Sequence, residues 1–117
     1  MPTVDLNESG FVTLDSNGNG FVRIGPGEPA AQWKPSVISV SVNTNVLEAD
    51  CNIYAGPSPV QSYYVDGTHS GSTGDSTDRI QGKTISRTRL GYVWAVWTGG
   101  DPGSQATVNV VGDKVLP

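Results

Sequence analysis

The sequence predicts an all-β protein, an antiparallel β-sandwich of about eight short strands with a jelly-roll or immunoglobulin-like topology. Short segments that alternate apolar and polar residues recur at spacings of roughly 8–14 residues. Glycine and proline, at 15 and 8 of 117 residues, separate these segments, and both residue types favour turns. No stretch shows the periodicity of an amphipathic helix. A chain of this length is expected to form one domain over residues 1–117.

The first half of the chain contains three segments with strand character. Residues 10–14 and 21–24 flank the sequence Asp-Ser-Asn-Gly-Asn-Gly, which tolerates tight turns and therefore predicts a hairpin. A connector that includes Trp33 leads to residues 36–42, where apolar residues alternate with serines from Ile38 onward. This period of two is typical of a half-buried strand.

The same alternation continues into the second half. In residues 48–54 it places Ala49, Cys51 and Ile53 on one face, so Cys51 is expected to be a small buried apolar residue rather than a reactive thiol. Further strands are expected at 60–65, 79–85, 92–97 and 106–111.

Two segments lie outside this pattern. Residues 1–10 are a possible N-terminal arm, which could extend a neighbour's sheet. Residues 66–78 contain no large apolar side chain and are predicted to form a long polar loop. Long loops in compact domains tend to be functional or mobile. The candidate residues that this loop contributes are Asp66, His69, Asp75 and Asp78.

The charge balance argues against some classes of partner. The formal net charge is −4 and the isoelectric point about 4.6, so nucleic acid binding is not expected. The basic residues cluster only at Arg79, Lys83, Arg87 and Arg89, without a nucleic-acid-binding motif. No apolar run reaches membrane-spanning length. No signal peptide is recognisable at the start, so the protein is expected to be made in the cytosol.

The sequence supports neither catalysis nor a cofactor. His69 is the sole histidine, and although Asp66 and Ser70 lie near it, no motif provides a rigid nucleophile or an oxyanion hole. One histidine and one cysteine offer no zinc-ligand spacing. We therefore expect a protein that is not an enzyme.

Two acidic loops resemble calcium-binding loops in part. Asp15, Asn17 and Asn19 match the first half of an EF-hand loop, but Pro26 stands where the bidentate glutamate belongs. A turn is therefore preferred there. The acidic residues of the 66–78 loop are likewise better explained as a solvated loop, and no metal site is predicted.

Residues 92–97 are the most informative segment for function. In a strand, Tyr92 and Trp94 face one side and Trp97 the other, so both faces are apolar. A strand of a two-layer sandwich normally keeps one face in water. Either loops such as the Trp33 connector cover the second face, or a partner chain does. The predicted partner-binding residues are Tyr92, Trp94, Trp97 and Trp33, because Tyr and Trp are favoured at the centres of interfaces.

Several segments carry a resemblance to a known class of proteins. The 66–78 loop, Val-Trp-Ala-Val-Trp-Thr-Gly-Gly-Asp-Pro-Gly at 93–103, the Ala-Thr-Val-Asn-Val strand at 106–110 and Ser-Val-Ser-Val-Asn-Thr-Asn-Val at 39–46 together resemble small virion proteins of actinobacterium-infecting tailed phages. The resemblance covers roughly two thirds of the chain and excludes the predicted N-terminal hairpin.

The resemblance implies a structural protein of the virion. As a capsid decoration or minor capsid protein, the chain would bind the major capsid protein or other virion proteins, form a homo-oligomer, and stabilise the particle. A tail or head–tail connector component is the alternative within this class. A carbohydrate-binding module is the alternative of another class, and it requires at least two exposed, coplanar aromatic rings on one face.

Overall fold

The computed structural model describes residues 2–27, 30–43, 46–69 and 74–117. They form a sandwich of two four-stranded antiparallel sheets, which confirms the predicted all-β fold. The strands are β1 (Thr3–Thr13), β2 (Gly20–Ile24), β3 (Gln32–Val42), β4 (Asp50–Ala55), β5 (Tyr64–His69), β6 (Asp75–Thr77), β7 (Val93–Thr98) and β8 (Gln105–Val115). The helical structure within the described ranges is one 3₁₀ turn, Gln61–Tyr63, and none of it is long and apolar enough to cross a membrane.

The strand order identifies the topology as a jelly roll. The first sheet has the order β1-β8-β3-β6, and the second has the order β2-β7-β4-β5. The chain therefore crosses between sheets after every strand except β4, which pairs with β5 in the same sheet. Eight strands divided in this way between two sheets form a jelly roll, whereas an immunoglobulin-like sandwich groups its strands differently.

The core lies between the sheets and follows the alternation of the sequence. Ile38, Val40 and Val42 point inward from β3 and are nearly inaccessible to solvent. Cys51 is buried inward from β4, as the alternation predicted. The first and last strands pair over eleven residues, so the N-terminal and C-terminal segments are both integral to the first sheet.

Two predictions about the N-terminal segment are wrong. Residues 10–14 and 21–24 do not form a hairpin, because β1 pairs with β8 while β2 pairs with β7 in the opposite sheet. Residues 1–10 are also not an arm within the described part of the chain. Leu6 is buried between the sheets, and β1 is a regular edge strand from Thr3 onward. Met1 lies outside the described residues.

The predicted strand at 79–85 is replaced by turns. Ile80 and Ile85 are both fully buried, but residues five apart on a strand point to opposite faces. The segment therefore turns to bury both, and Ile85 makes two backbone hydrogen bonds with Trp33, of 2.8 and 2.9 Å.

The predicted 66–78 loop is also shorter than expected. Its first residues, 66–69, belong to β5, which starts at Tyr64. The strand predicted at 60–65 is therefore displaced toward the C-terminus, and the 3₁₀ turn Gln61–Tyr63 occupies half of that segment. Asp75–Thr77 forms β6. The central residues 70–73 lie outside the described part of the chain.

The sandwich is elongated, with extents of 47 × 25 × 21 Å. The strand pairings place the C-terminal ends of β1, β3, β5 and β7 and the N-terminal ends of β2, β4, β6 and β8 at one end of the sandwich. The described loop residues 25–27, 30–31, 56–63 and 78–92 lie at the other end, together with Pro2 and the C-terminal residues after β8. The surfaces on which a site can form are therefore the two outer sheet faces, the two ends and the sheet edges formed by β1, β6, β2 and β5.

Candidate functional site

Strand β7 has apolar side chains on both faces, as its alternation predicted. Val93, Ala95 and Trp97 point into the core and are at most 1% exposed. Trp94 projects from the opposite face, between the flanking residues Tyr92 and Val96. The second apolar face of β7 is therefore part of the outer surface of the second sheet, where a partner could cover it.

Two of the predicted partner-binding residues are interior. Trp97 is fully buried, and Trp33 is 2% exposed within the same core cluster. Trp33 points inward because β3 begins at Gln32 and the segment around Ile85 packs beside it. Neither side chain can contact a partner of the folded protein. The Trp33 connector also does not cover the outer face of β7.

The outer face of the second sheet carries a cluster that the sequence only partly identified. Cross-strand pairing aligns Arg23, Trp94, Tyr54 and Tyr64 in one row across β2, β7, β4 and β5. Phe21 occupies the next outward position of β2. The aromatic face is defined here as Phe21, Arg23, Tyr54, Tyr64, Tyr92 and Trp94.

Trp94 is the centre of the aromatic face. Its ring centroid lies 5.7 Å from that of Phe21 and 6.2 Å from that of Tyr92. The Arg23 guanidinium carbon lies 4.3 Å from the Tyr92 ring centroid and 5.8 Å from that of Trp94, within cation–π range. The Trp94 Nε1–H donates a 2.9 Å hydrogen bond to the carbonyl oxygen of Gly56. These contacts fix the indole and leave it 8% exposed.

The rim of the aromatic face remains accessible. Phe21 is 57% exposed and Tyr64 is 41% exposed. Tyr54 packs edge-on against Tyr64 at a centroid distance of 5.8 Å. The result is a pre-packed aromatic surface with an ordered centre and exposed margins, which is the arrangement that protein interfaces favour.

The ring orientations do not provide a flat platform for a sugar. The planes of Phe21 and Trp94 are inclined by 37°, and the Tyr92–Trp94 and Tyr54–Tyr64 pairs are inclined by 76° and 74°. A carbohydrate-binding module that stacks successive sugar rings needs coplanar aromatic side chains. The contacting pairs on this face do not meet that requirement.

The outer face of the first sheet is different in character. A shallow depression of about 450 Å³ there is lined mainly by polar side chains, those of Ser39, Ser41, Asp75, Ser76, Thr107 and Asn109. Polar side chains of this kind are typical of a solvated sheet face. Phe11, which is 67% exposed, is an isolated aromatic residue on the same sheet. The two outer faces therefore contrast sharply in chemistry.

The predicted loop residues make separate local contacts. His69 Nδ1 lies 2.9 Å from Asp50 Oδ1, and both side chains are more than 60% exposed. The His69 backbone N–H donates to Asp75 Oδ2 at 3.2 Å. Asp66 instead accepts a 2.6 Å hydrogen bond from the Thr77 hydroxyl. An exposed polar contact such as that between His69 and Asp50 contributes little to stability.

These loop residues do not form a metal site in the described part of the chain. Asp78 is exposed, and its backbone carbonyl oxygen accepts a hydrogen bond from the backbone N–H of Gln81. No group of three or more His, Cys, Asp or Glu side chains among the described residues is arranged to hold a metal ion. In the other acidic loop, Asp15 Oδ1 accepts the backbone N–H groups of Asn17 and Asn19, and thereby closes its own turn.

Comparison with known proteins identifies no relative. No family model matches the chain, and neither a curated protein nor a solved structure does.

Proposed function

We propose that this chain is a non-enzymatic structural protein of a tailed-phage particle that binds other virion proteins through its aromatic face. The observation that carries the proposal is the environment of Trp94. The indole is ordered by Phe21, Tyr92 and the Gly56 carbonyl, yet it lies outside the core on a face with exposed aromatic margins.

The physical case for a protein partner rests on composition and order. Tyr, Trp and Arg are enriched at the centres of protein interfaces, and all three occur together on this face. Because Trp94 and Arg23 are already packed against neighbours, they lose little conformational freedom on binding. Burial of Phe21 and Tyr64 under a partner would remove the largest exposed aromatic area of the second sheet from water.

The assignment to a virion rests on the sequence resemblance described above. The jelly-roll topology is compatible with it, since viral capsid domains use this fold. Lectin domains and cupins use the fold as well, so the topology by itself does not specify a function. Attachment to the capsid lattice as a decoration or minor capsid protein is the form of the proposal that we adopt. The major capsid protein is then the expected partner.

The proposal includes no catalytic step. His69, the sole histidine, is 78% exposed at its side chain and pairs with an exposed carboxylate. A general base in such a position is not shielded from water, whereas enzymes exclude water from the reacting groups. Ser70, the nearest serine in sequence, lies outside the described residues.

Reconstitution on particles assembled without the chain tests the proposal. Labelled protein is added to such particles, and the bound copies are counted after sedimentation. The wild-type chain is expected to bind at many equivalent positions of the capsid. A small number of copies at one vertex or along the tail would favour a tail or connector component over a decoration protein.

A pair of matched phenylalanine substitutions locates the binding face. Phe21→Ser should weaken particle binding at least tenfold, or about 1.4 kcal/mol. Phe11→Ser removes a ring from the first sheet that is 67% exposed, against 57% for Phe21, and it should leave binding unchanged. Equal binding by both variants and the wild type would show that the aromatic face is not the attachment surface.

A further inference from the structure

The charges of the molecule are segregated along its long axis. The acidic end is defined by the described loop residues 14–19, 43, 46–49, 74 and 99–104 and by the strand residues next to them. It carries five carboxylates, and its sequence contains no lysine or arginine. The five carboxylates belong to Asp15, Glu48, Asp50, Asp75 and Asp101.

The opposite end has the reverse character. All seven lysine and arginine residues lie in the half of the sandwich nearer the other loops, against the acidic residues Asp5, Asp66, Asp78 and Asp113 in the described part of that half. Glu8 lies at the middle of β1. The basic end is defined by four exposed members, Lys34, Lys83, Arg87 and Arg89; Arg23 and Arg79 are exposed as well, but they contact the Tyr92 ring and Asp66. The side chains of the four defining members make no ion pair or hydrogen bond within the described residues.

Neither end can neutralise the other within one molecule. The long axis measures 47 Å, whereas charge interactions at physiological ionic strength are screened over about 8 Å. The net charge of −4 conceals this polarity because it sums over both ends. Each end is therefore available to a partner of the opposite charge.

The acidic end also presents an apolar contact. Val46 is 85% exposed and Leu47 is 50% exposed. Their backbone N–H groups donate hydrogen bonds of 2.9 and 3.0 Å to the two carboxylate oxygens of Asp101. This carboxylate ties the segment to the neighbouring loop, so the two apolar side chains are presented on an anchored backbone and not on a free loop.

We propose that the acidic end of one copy binds the basic end of a second copy, in a head-to-tail contact with Val46 and Leu47 at its centre. This contact goes beyond the aromatic face and is independent of it. Both complementary surfaces lie on the same chain, which is the observation that favours a second copy as the occupant. Because the surfaces are at opposite ends, the contact is heterologous and propagates into a linear array rather than a closed dimer.

The area of the two ends limits how tightly two copies can bind. A cross-section of 25 × 21 Å limits the contact to about 500 Å² per copy, or about 1,000 Å² in total. That lies at the low end for specific interfaces, which is the range of weak and transient contacts. We therefore expect a dissociation constant on the order of 0.1 mM and a strong dependence on salt.

Sedimentation of the purified full chain tests the contact. At about 20 mM salt, the average mass should rise above the monomer value of 12.3 kDa as the protein concentration approaches about 1 mM. At about 500 mM salt, it should return to the monomer value. A monomer under both conditions, or association that salt does not affect, would overturn the proposal.

Charge-reversal variants show whether the two ends are the contacting surfaces. Lys83→Glu/Arg87→Glu and Glu48→Lys/Asp50→Lys should each remain monomeric alone. An equimolar mixture of the two should associate again, because each reversed end then meets a complementary end. The substituted side chains are exposed, so the fold should be retained, as circular dichroism can verify.

A control of equal charge separates this contact from general attraction. Asp5→Lys/Glu8→Lys changes the net charge by the same amount as Glu48→Lys/Asp50→Lys, but it does so on the edge strand β1. Because both ends remain intact in this control, it should self-associate as the wild-type chain does, whereas Glu48→Lys/Asp50→Lys alone should stay monomeric. A monomeric control would contradict the assignment to the ends, as would the absence of association in the matched mixture. Leu47→Ser should weaken self-association of the otherwise wild-type chain without altering its charge.

Discussion

Trp94 and Trp97 lie three residues apart on β7 and point to opposite sides of the second sheet. Trp97 fills the core and is fully buried, whereas Trp94 is packed on the outer face and bonded to the Gly56 carbonyl. The same strand therefore contributes Trp97 to the core and Trp94 to the candidate binding surface. This division of roles makes the two residues separable by substitution.

Replacing each tryptophan by alanine should separate folding from binding. Trp97→Ala leaves a large cavity in the core and should lower the free energy of unfolding by about 3–5 kcal/mol. Trp94→Ala removes the contacts of an indole that is 8% exposed and one hydrogen bond, but on the outer face it leaves no enclosed cavity, so it should cost less, about 1–2 kcal/mol. Urea denaturation measures both values.

The same two variants bear on particle binding. Trp94→Ala should stay folded and bind particles poorly, as Phe21→Ser is expected to do. If Trp94→Ala unfolds the monomer as severely as Trp97→Ala, the outer face is part of the core. In that case the interface must be sought elsewhere.

Each of the two core tryptophans buries a polar group in a way that lowers the stability of the fold. The Nε1–H groups of Trp33 and Trp97 are buried without a hydrogen-bond partner in the described structure. An unsatisfied buried donor costs about 1–3 kcal/mol. Trp97→Phe removes that donor while it keeps most of the apolar volume, so we expect it to lower the free energy of unfolding by less than half as much as Trp97→Ala does. Equal losses for the two variants in urea denaturation would contradict this expectation.

Cys51 should be chemically inert in the folded protein. Burial raises the pKa of its thiol from 9.0 to about 12, and the thiolate is the reactive form. A thiol reagent at pH 8 should therefore modify the chain only after denaturant unfolds it. Rapid modification of the native chain would show that the β4 region opens readily.

The same pKa shift predicts how stability depends on pH. The thiol pKa is higher in the folded state than in the unfolded state, so the unfolded chain loses its proton first. The contribution of Cys51 to stability should be complete below about pH 9 and should decline as the pH rises toward 12. Cys51→Ala should reduce this alkaline decline in thermal unfolding measured from pH 8 to pH 11.

A glycine should be required for stability at residue 112, where β8 pairs with the irregular segment of β3. The pairing of these strands shifts between Pro35 and Val37. A Cβ atom at residue 112 would collide with the carbonyl oxygen of Lys34 and the amide nitrogen of Ser36. Gly112→Ala should therefore lower the melting temperature by several degrees, which corresponds to about 1–3 kcal/mol. Gly82→Ala is an instructive comparison, since its Cβ would meet no atom within 4 Å and only its positive φ is unfavourable.

The alternation of residue types predicted the fold class and much of the core. It placed Ile38 and Cys51 inside, and it put Trp94 and Trp97 on opposite faces. It could not predict that Phe21 packs against Trp94, because β2 and β7 are distant in sequence and their pairing follows from the whole topology. It also failed at Ile80 and Ile85, whose burial depends on contacts with the start of β3.

The central claim is that the aromatic face binds another protein of an assembled particle. Cryo-electron microscopy of particles isolated from the native producer tests it most directly. We predict density for the jelly roll at repeated capsid positions, with Phe21 and Trp94 covered by a neighbouring virion protein. Particles that lack this chain, or that carry it with the aromatic face open to solvent, would contradict the claim.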